Sequence, residues 1–286
     1  MLATFLIMLR EGLEAALVIS IIAIFLARMG KQHLFKYLYL GVSIAFLLCC
    51  ALGTFFHLAE REFPQSKQEL IEGVIGIVAV VVLTWMVFWM RKAGRKIKLE
   101  IEEKLEETVL DKSSNIEKVL ISMAFFAVLR EGVESVLFLF AAGSSSNALN
   151  LLGAVLGLLS AVLIGCLIYK GSTVINIAKF FHYTSIAIIV FASGLLAGSL
   201  RKFTEAGLFS SFQDKAYNIS GVLKNNSLLG TIFGSLIGYD DSPAIAELFV
   251  YLTFLIVVLS IFLYTSQSQK KKRELSKLAT LNSGVK

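Results

Sequence analysis

Leu9-Arg10-Glu11-Gly12-Leu13-Glu14 returns 120 residues later as Leu129-Arg130-Glu131-Gly132-Val133-Glu134. Each copy sits inside a long apolar run, so each puts three charges where a bilayer would penalise them. Whether those runs cross a membrane therefore decides the fold.

Of the 286 residues, 56% are hydrophobic and 17% charged, with a mean hydropathy of +0.76. A soluble domain carries about 25% charge. Runs of about 20 apolar residues cross a bilayer core as helices, and the chain offers seven: Leu2 to Ala27, Tyr37 to His57, Gly73 to Met90, Val119 to Ala142, Ala148 to Tyr169, Phe180 to Leu200 and Pro243 to Tyr264. Trp85 and Trp89 close the third as expected interfacial anchors. Asp240-Asp241-Ser242-Pro243 reads as a cap with proline at the first position of the seventh helix. The first run is too long, and too interrupted by charge, for a cleaved signal.

With the N-terminus outside, 19 lysines and arginines fall on the inner side and six on the outer side. The positive-inside rule then expects a multi-pass protein of the cell membrane, N-terminus outside and C-terminus cytoplasmic. The net charge of +6 flanks membrane segments, including Lys270-Lys271-Lys272-Arg273 beside lipid. No nucleic acid is needed to explain it.

The expected fold is an all-α integral membrane protein of seven transmembrane helices, an inverted 3+3 repeat plus one C-terminal helix. Residues 1–90 form the first repeat and 119–200 the second. Residues 91–118 form a cytoplasmic linker, its basic half followed by an acidic half, with Ile97, Ile101 and Leu105 on one face of an amphipathic helix. A solvated connector fits that composition equally well. Residues 201–242 are an outer cap, helical in part, with an apolar patch from Leu228 to Ile237. Residues 243–265 are the seventh span and 266–286 a basic tail. Cys49, Cys50 and Cys166 lack metal spacing and read as small core residues; the three histidines form no ligand pattern either.

Within each phrase the two glutamates are three apart and share a helix face, while Arg10 with Glu14, and Arg130 with Glu134, are four apart and pair. Six such charges at mid-membrane cost roughly 15 to 20 kcal/mol by simple addition. Two arginine–glutamate locks between helices would be a structural reason for them, but would leave the second carboxylate of each motif unused. In the inverted repeat the first and fourth helices run in opposite directions, Gly12 and Gly132 let those two helices approach closely, and four carboxylates meet near mid-membrane. Oxygen-only ligands suit hard cations. Four negative and two positive charges leave a deficit of two for a multivalent cation to offset; ferric iron fits on hardness, with manganese, magnesium and calcium also open. Glu60, Glu62, Glu69 and Glu72 could gather cations at the outer mouth, Glu72 lying at or within the third helix.

At these residues the chain resembles the oxidase-dependent iron permease family, whose hallmark is an Arg-Glu-X-X-Glu motif in the first and fourth membrane helices. Glu69-Leu70-Ile71-Glu72-Gly73 with Thr84-Trp85-Met86 and Trp89-Met90, Ala206-Gly207-Leu208-Phe209-Ser210, and Gly238-Tyr239-Asp240 through Glu247 extend the resemblance. It implies that Glu11, Glu14, Glu131 and Glu134 bind the moving iron, that Arg10 and Arg130 orient them, and that Glu69 or Glu72 serves as an outer relay. Iron is then a transported substrate rather than a cofactor. A ferroxidase or periplasmic iron-handling protein would be a separate polypeptide, and other cations such as lead or manganese remain alternatives. The rival from another class, an intramembrane di-iron oxidoreductase, calls for a Glu-x-x-His spacing that neither phrase has; a proton-coupled carrier that moves no metal is a further rival.

Overall fold

A computed structural model describes residues 1–60, 64–93, 103, 116–141, 148–170, 177–208, 214–221, 223, 225 and 227–283. These are helical throughout apart from turns and one isolated bridge, Lys215 to Ala244. Helices α1 (Leu2–Arg28), α2 (Phe35–Glu60), α3 (Gln65–Ala93), α4 (Ile116–Ala141), α5 (Ala148–Tyr169) and α6 (Ile177–Glu205) are followed by the short α7 (Leu228–Ile237) and by α8 (Ile245–Ser283). A single 3-10 turn, Gln32–Leu34, joins α1 to α2.

All seven expected spans are helices. Five stretches, 32–56, 67–89, 150–169, 179–205 and 245–265, are long and apolar enough to cross a membrane. The helices outside that set are α1 and α4, whose apolar runs carry the charged phrases, and α7, at ten residues. Large apolar side chains such as Leu47, Phe55, Val81, Leu163 and Ile256 lie exposed on the outside of the bundle. Helices apolar on their outward faces are at home in lipid, so the chain is an all-α, multi-pass membrane protein. The amphipathic linker falls almost wholly outside the described residues.

Two expectations about helix ends shift. α3 begins eight residues before Gly73, so Glu69 and Glu72 are helical. α8 starts at Ile245 rather than at Pro243 and continues to Ser283, taking in most of the basic tail. Asp240 and Asp241 do not cap it, because both are committed to Asn225: the Asn225 amide donates to Asp240 Oδ1 at 3.0 Å, and the Asn225 backbone N–H donates to Asp241 Oδ2 at 3.0 Å.

Helix pairing follows a pattern that the order of elements does not suggest. α1 packs most extensively on α5, α2 on α4 and α3 on α6, whereas the sequence neighbours α1 and α2 barely meet. Small residues cause this. Gly153, Gly157, Ala161 and Gly165 recur every four residues on α5, and a Cβ at Gly157 would stand 2.4 Å from the Phe5 carbonyl oxygen of α1. Gly41, Ala45, Cys49 and Gly53 do the same on α2, where a Cβ at Gly41 would stand 2.5 Å from the Ile121 carbonyl oxygen of α4. With no hydrophobic drive between helices in lipid, such close backbone approach supplies the packing.

Gly12 and Gly132 belong to these seams. A Cβ on Gly12 would lie 2.7 Å from Ala161 Cβ, and one on Gly132 would lie 2.4 Å from Cys49 Sγ. Each glycine thus admits α5 or α2, and not the other motif helix as its central place in the repeat suggests. The main core joins Ile7 of α1, Leu83 and Met86 of α3, Phe138 of α4, Ile189 of α6 and Phe262 of α8.

Among the described residues between α6 and α8, the helical stretch is α7. Ser227 starts α7 by accepting from the Gly230 N–H at 3.0 Å. Gly238 ends it at φ 66°; that left-handed turn, and the 2.3 Å that would separate a Cβ there from Gly194 Cα, both call for glycine.

Candidate metal site

Both phrases lie near the middle of their helices, and the inward faces of α1 and α4 bring them together. Arg10 Nη1 is 2.9 Å from Glu11 Oε1 and Arg10 Nη2 is 3.3 Å from Glu14 Oε1. In the second copy Arg130 Nε is 3.2 Å from Glu134 Oε1 and 3.8 Å from Glu131 Oε1. The expected pairing at four residues' separation is present twice, and each arginine also reaches the glutamate next to it.

Glu11, Glu14 and Glu131 each offer an oxygen, and the three oxygens lie within 4.8 Å of one another. Glu134 stands outside that set but close enough to Glu11 and Glu14 to act on them electrostatically. The Glu11 and Glu131 side chains are within hydrogen-bonding reach of each other. Two carboxylates so close repel one another, which favours a cation between them.

Buried carboxylate oxygens without a hydrogen-bond donor point the same way. Glu11 Oε2, Glu131 Oε2 and Glu134 Oε2 have none. A buried acceptor left empty costs about 1–3 kcal/mol, and more when charged. Glu11 and Glu131 also belong to the set whose oxygens converge, and carboxylate oxygens are hard donors, suited to a hard or borderline cation.

The two halves are chemically alike but not equally enclosed. Side-chain exposure is 0%, 1% and 6% for Arg10, Glu11 and Glu14, against 38%, 12% and 14% for Arg130, Glu131 and Glu134. α3 contacts both arginines. Met86 Sδ accepts from Arg10 Nη1 at 2.9 Å, and the Arg130 guanidinium carbon lies 4.5 Å from the centre of the Trp89 ring. Trp89, expected as an interfacial anchor, therefore faces the site.

Toward the end of the bundle that holds Met1, a cavity of about 700 Å³ is lined by Thr4, Glu72, Asn150, Lys202, Asp240 and Glu247, among others. Its floor on α1, at Thr4, is seven residues from Glu11, roughly 10 Å along a helix. Glu72 stands on its wall with Oε2 3.0 Å from Lys202 Nζ and accepts from Gln68 Nε2 at 3.3 Å. Glu69, one turn earlier, is half-buried and does not line the cavity. Arg201 is ion-paired with Asp240 across the same space. Burial alone would raise the Asp240 pKa, but the Ser242 N–H, the Asn225 amide and Arg201 together hold it below the ordinary value of 3.8.

Sequence reasoning located the six charges of the phrases and Glu72 but not Met86, Trp89 or Lys202. The spacing of Met86 and Trp89, three apart on the third helix, was a usable signal, since it puts both on one face.

Known proteins resemble the chain over nearly its whole length. The chain is 44% identical over 263 residues to the ferrous iron permease EfeU of Escherichia coli O6:K15:H31, covering 92% of this chain and 95% of that one. It is also 44% identical over 269 residues to the ferrous iron permease EfeU of Yersinia pestis, covering 94% and 95%. No solved structure matches. A model of the iron permease FTR1 family matches residues 1–271, and with the duplicated Arg-Glu-X-X-Glu phrase at its centre the chain belongs to that family.

Proposed function

We propose that this iron permease moves its ion inward through the cluster of Glu11, Glu14, Glu131 and Glu134, oriented by Arg10 and Arg130. The observation that carries the reading is the convergence of three carboxylate oxygens within 4.8 Å beside buried carboxylate oxygens that no donor satisfies. Its relatives are named as permeases of ferrous iron, and a divalent ion equals the charge deficit of four glutamates against two arginines.

The membrane arrangement we infer has seven spans, N-terminus outside and C-terminus cytoplasmic, which the lysine and arginine count supports. Residues from both chain halves line one cavity at a single end of the bundle, as alternating crossings require. An inverted 3+3 repeat, 1–90 and 119–200, is supported by the pairing: α1 on α5 answers α4 on α2, and α3 on α6 pairs like with like. Residues 91–118 then link the repeats inside, 201–242 cap the outer side, 243–265 form the last span and 266–286 the inner tail. Because each repeat lends its first helix to the other's second, the bodies that rearrange are α1 with α5 and α2 with α4.

Iron enters the outer cavity, where Glu72, with Glu69 behind it, relays the ion toward the glutamates. Protons compete with metal for the same oxygens and favour release. A separate ferroxidase or periplasmic iron-handling protein would present the ion at the cap.

The test is uptake of ferrous iron into proteoliposomes by wild-type protein and by Glu14→Gln and Glu131→Gln. One carboxylate at about 4 Å from a unit charge contributes about 4 kcal/mol at an effective dielectric near 20, so even half of that lost raises the half-saturating concentration about 30-fold. Wild-type uptake by both variants would rule the site out. Equal transport of manganese or lead by the wild type would broaden the substrate without moving the site.

A further inference from the structure

Arg10 and Arg130 occupy the same place in the repeated phrase and different surroundings in the fold. Arg10 is sealed from solvent and shares Nη1 between Glu11 and Met86. Arg130 is 38% exposed, lies over the Trp89 ring, and has an Nη2 without a hydrogen-bond partner. Its reach to Glu131 is long, 3.8 Å, so the guanidinium is already shared between carboxylate and ring. Trp89 in turn stacks on Trp85, with ring centres 5.9 Å apart and planes 21° apart.

A cation arriving among the glutamates creates a conflict. The carboxylate oxygens must turn to the metal, while each guanidinium loses counter-charge and is repelled by the new ion. An arginine with no other partner would hold its glutamates and compete with the metal. An aromatic face resolves this, because it attracts a guanidinium through its quadrupole and takes no carboxylate oxygen away. A thioether does so more weakly as an acceptor. Met86 and Trp89, on one face of a single helix, are such partners, one for each arginine.

We propose that α3 seats the two motif arginines, with Trp89 and Met86 as positioning residues, and that Trp89 holds Arg130 off Glu131 so that a divalent cation takes those oxygens. This rests on the four-glutamate reading above. Loss of the ring lets Arg130, already on Glu134 at 3.2 Å, close on Glu131 as well, which weakens metal capture more than turnover.

The experiment compares Trp89→Leu and Trp89→Phe with wild type in ferrous-iron uptake by proteoliposomes, reading half-saturation separately from maximal rate. Trp89→Leu is expected to raise the half-saturating concentration about five- to thirty-fold and to change the maximal rate less than about twofold. Trp89→Phe, which keeps an aromatic face, is expected to recover most of the difference. An unchanged half-saturation in Trp89→Leu, or a Phe variant no better than the Leu variant, overturns the proposal.

Fluorescence tests it without altering Trp89. The chain has two tryptophans, so Trp85→Phe leaves Trp89 as the sole reporter; its emission should change on adding ferrous iron, and Arg130→Gln should remove that change. Emission that ignores iron overturns the seat. Glu131→Gln run in parallel separates the two ideas. If it keeps wild-type uptake, the glutamate site fails; if it loses uptake while Trp89→Leu does not, only the seat fails.

Discussion

Replacing Gly132 with alanine tests how the motif helices are held. The new Cβ would stand 2.4 Å from Cys49 Sγ and 3.2 Å from Cys49 Cβ, where ordinary contact begins at 3.4 Å. The sulfur would have to retreat by about 1 Å, yet Cys49 is itself buried against α4, and overpacking of this kind costs about 1–3 kcal/mol. Chemical unfolding of the purified protein in detergent should register that loss for Gly132→Ala. Adding Cys49→Gly removes the obstructing atoms, so the double variant should recover to within about 1 kcal/mol of wild type, a coupling well above the error of additivity. Gly12→Ala makes the matching control: its Cβ would lie 2.7 Å from Ala161 Cβ, a smaller overlap that Ala161→Gly should relieve. The reasoning fails if Gly132→Ala is as stable as wild type, or if Cys49→Gly gives no recovery. Rescue from α1 instead would restore the simpler picture in which the two motif glycines face each other.

The two arginines should differ in what their loss costs. Arg10→Met leaves Glu11 and Glu14 buried without a counter-charge, at about 3–5 kcal/mol, whereas Arg130→Met, at a more open site, should cost about 1–2 kcal/mol; unfolding in iron-free detergent that reversed this order would contradict the difference in enclosure. The cap should loosen in acid. Because the Asp240 pKa is lowered in the folded protein, its stabilisation is fully present above the ordinary aspartate value and is lost as pH falls through the folded one. Hydrogen exchange at the Asn225 side-chain amide and the Ser242 backbone N–H should therefore accelerate, after correction for intrinsic rates, only at pH below about 4, and Asp240→Asn should show faster exchange at neutral pH without that further step.

Much of the architecture could be read from hydropathy because lipid imposes one rule, that an apolar run of sufficient length becomes a helix with its backbone satisfied internally. The repeated phrase could be read because charge in such a run is costly enough to be conspicuous. Helix partners could not be read that way. Leu and Val mark a helix as lipid-compatible without saying which face meets which neighbour, and that information lay in the four-residue recurrence of Gly153, Gly157, Ala161 and Gly165 and of Gly41, Ala45, Cys49 and Gly53. At the site, the intra-helix ion pairs four residues apart followed from spacing alone, whereas each arginine's contact with the adjacent glutamate did not. Met86 and Trp89 did not, since a methionine and a tryptophan near a helix end are ordinary core or interfacial residues until the arginines are seen above them. Lys202 against Glu72 depended on α3 meeting α6, which sequence order does not reveal.

The pairing of α1 with α5 also sets a timetable for synthesis. α1 reaches the bilayer well before the helix that covers it, which is complete only at Tyr169. Until α3 brings Met86 and α4 brings Arg130, Arg10, Glu11 and Glu14 have only one another to rely on. Arg10 closes onto both glutamates from within its own helix, so the newborn segment carries one uncompensated charge into lipid instead of three. The arrangement proposed to hold a metal thus also lowers the cost of its own insertion.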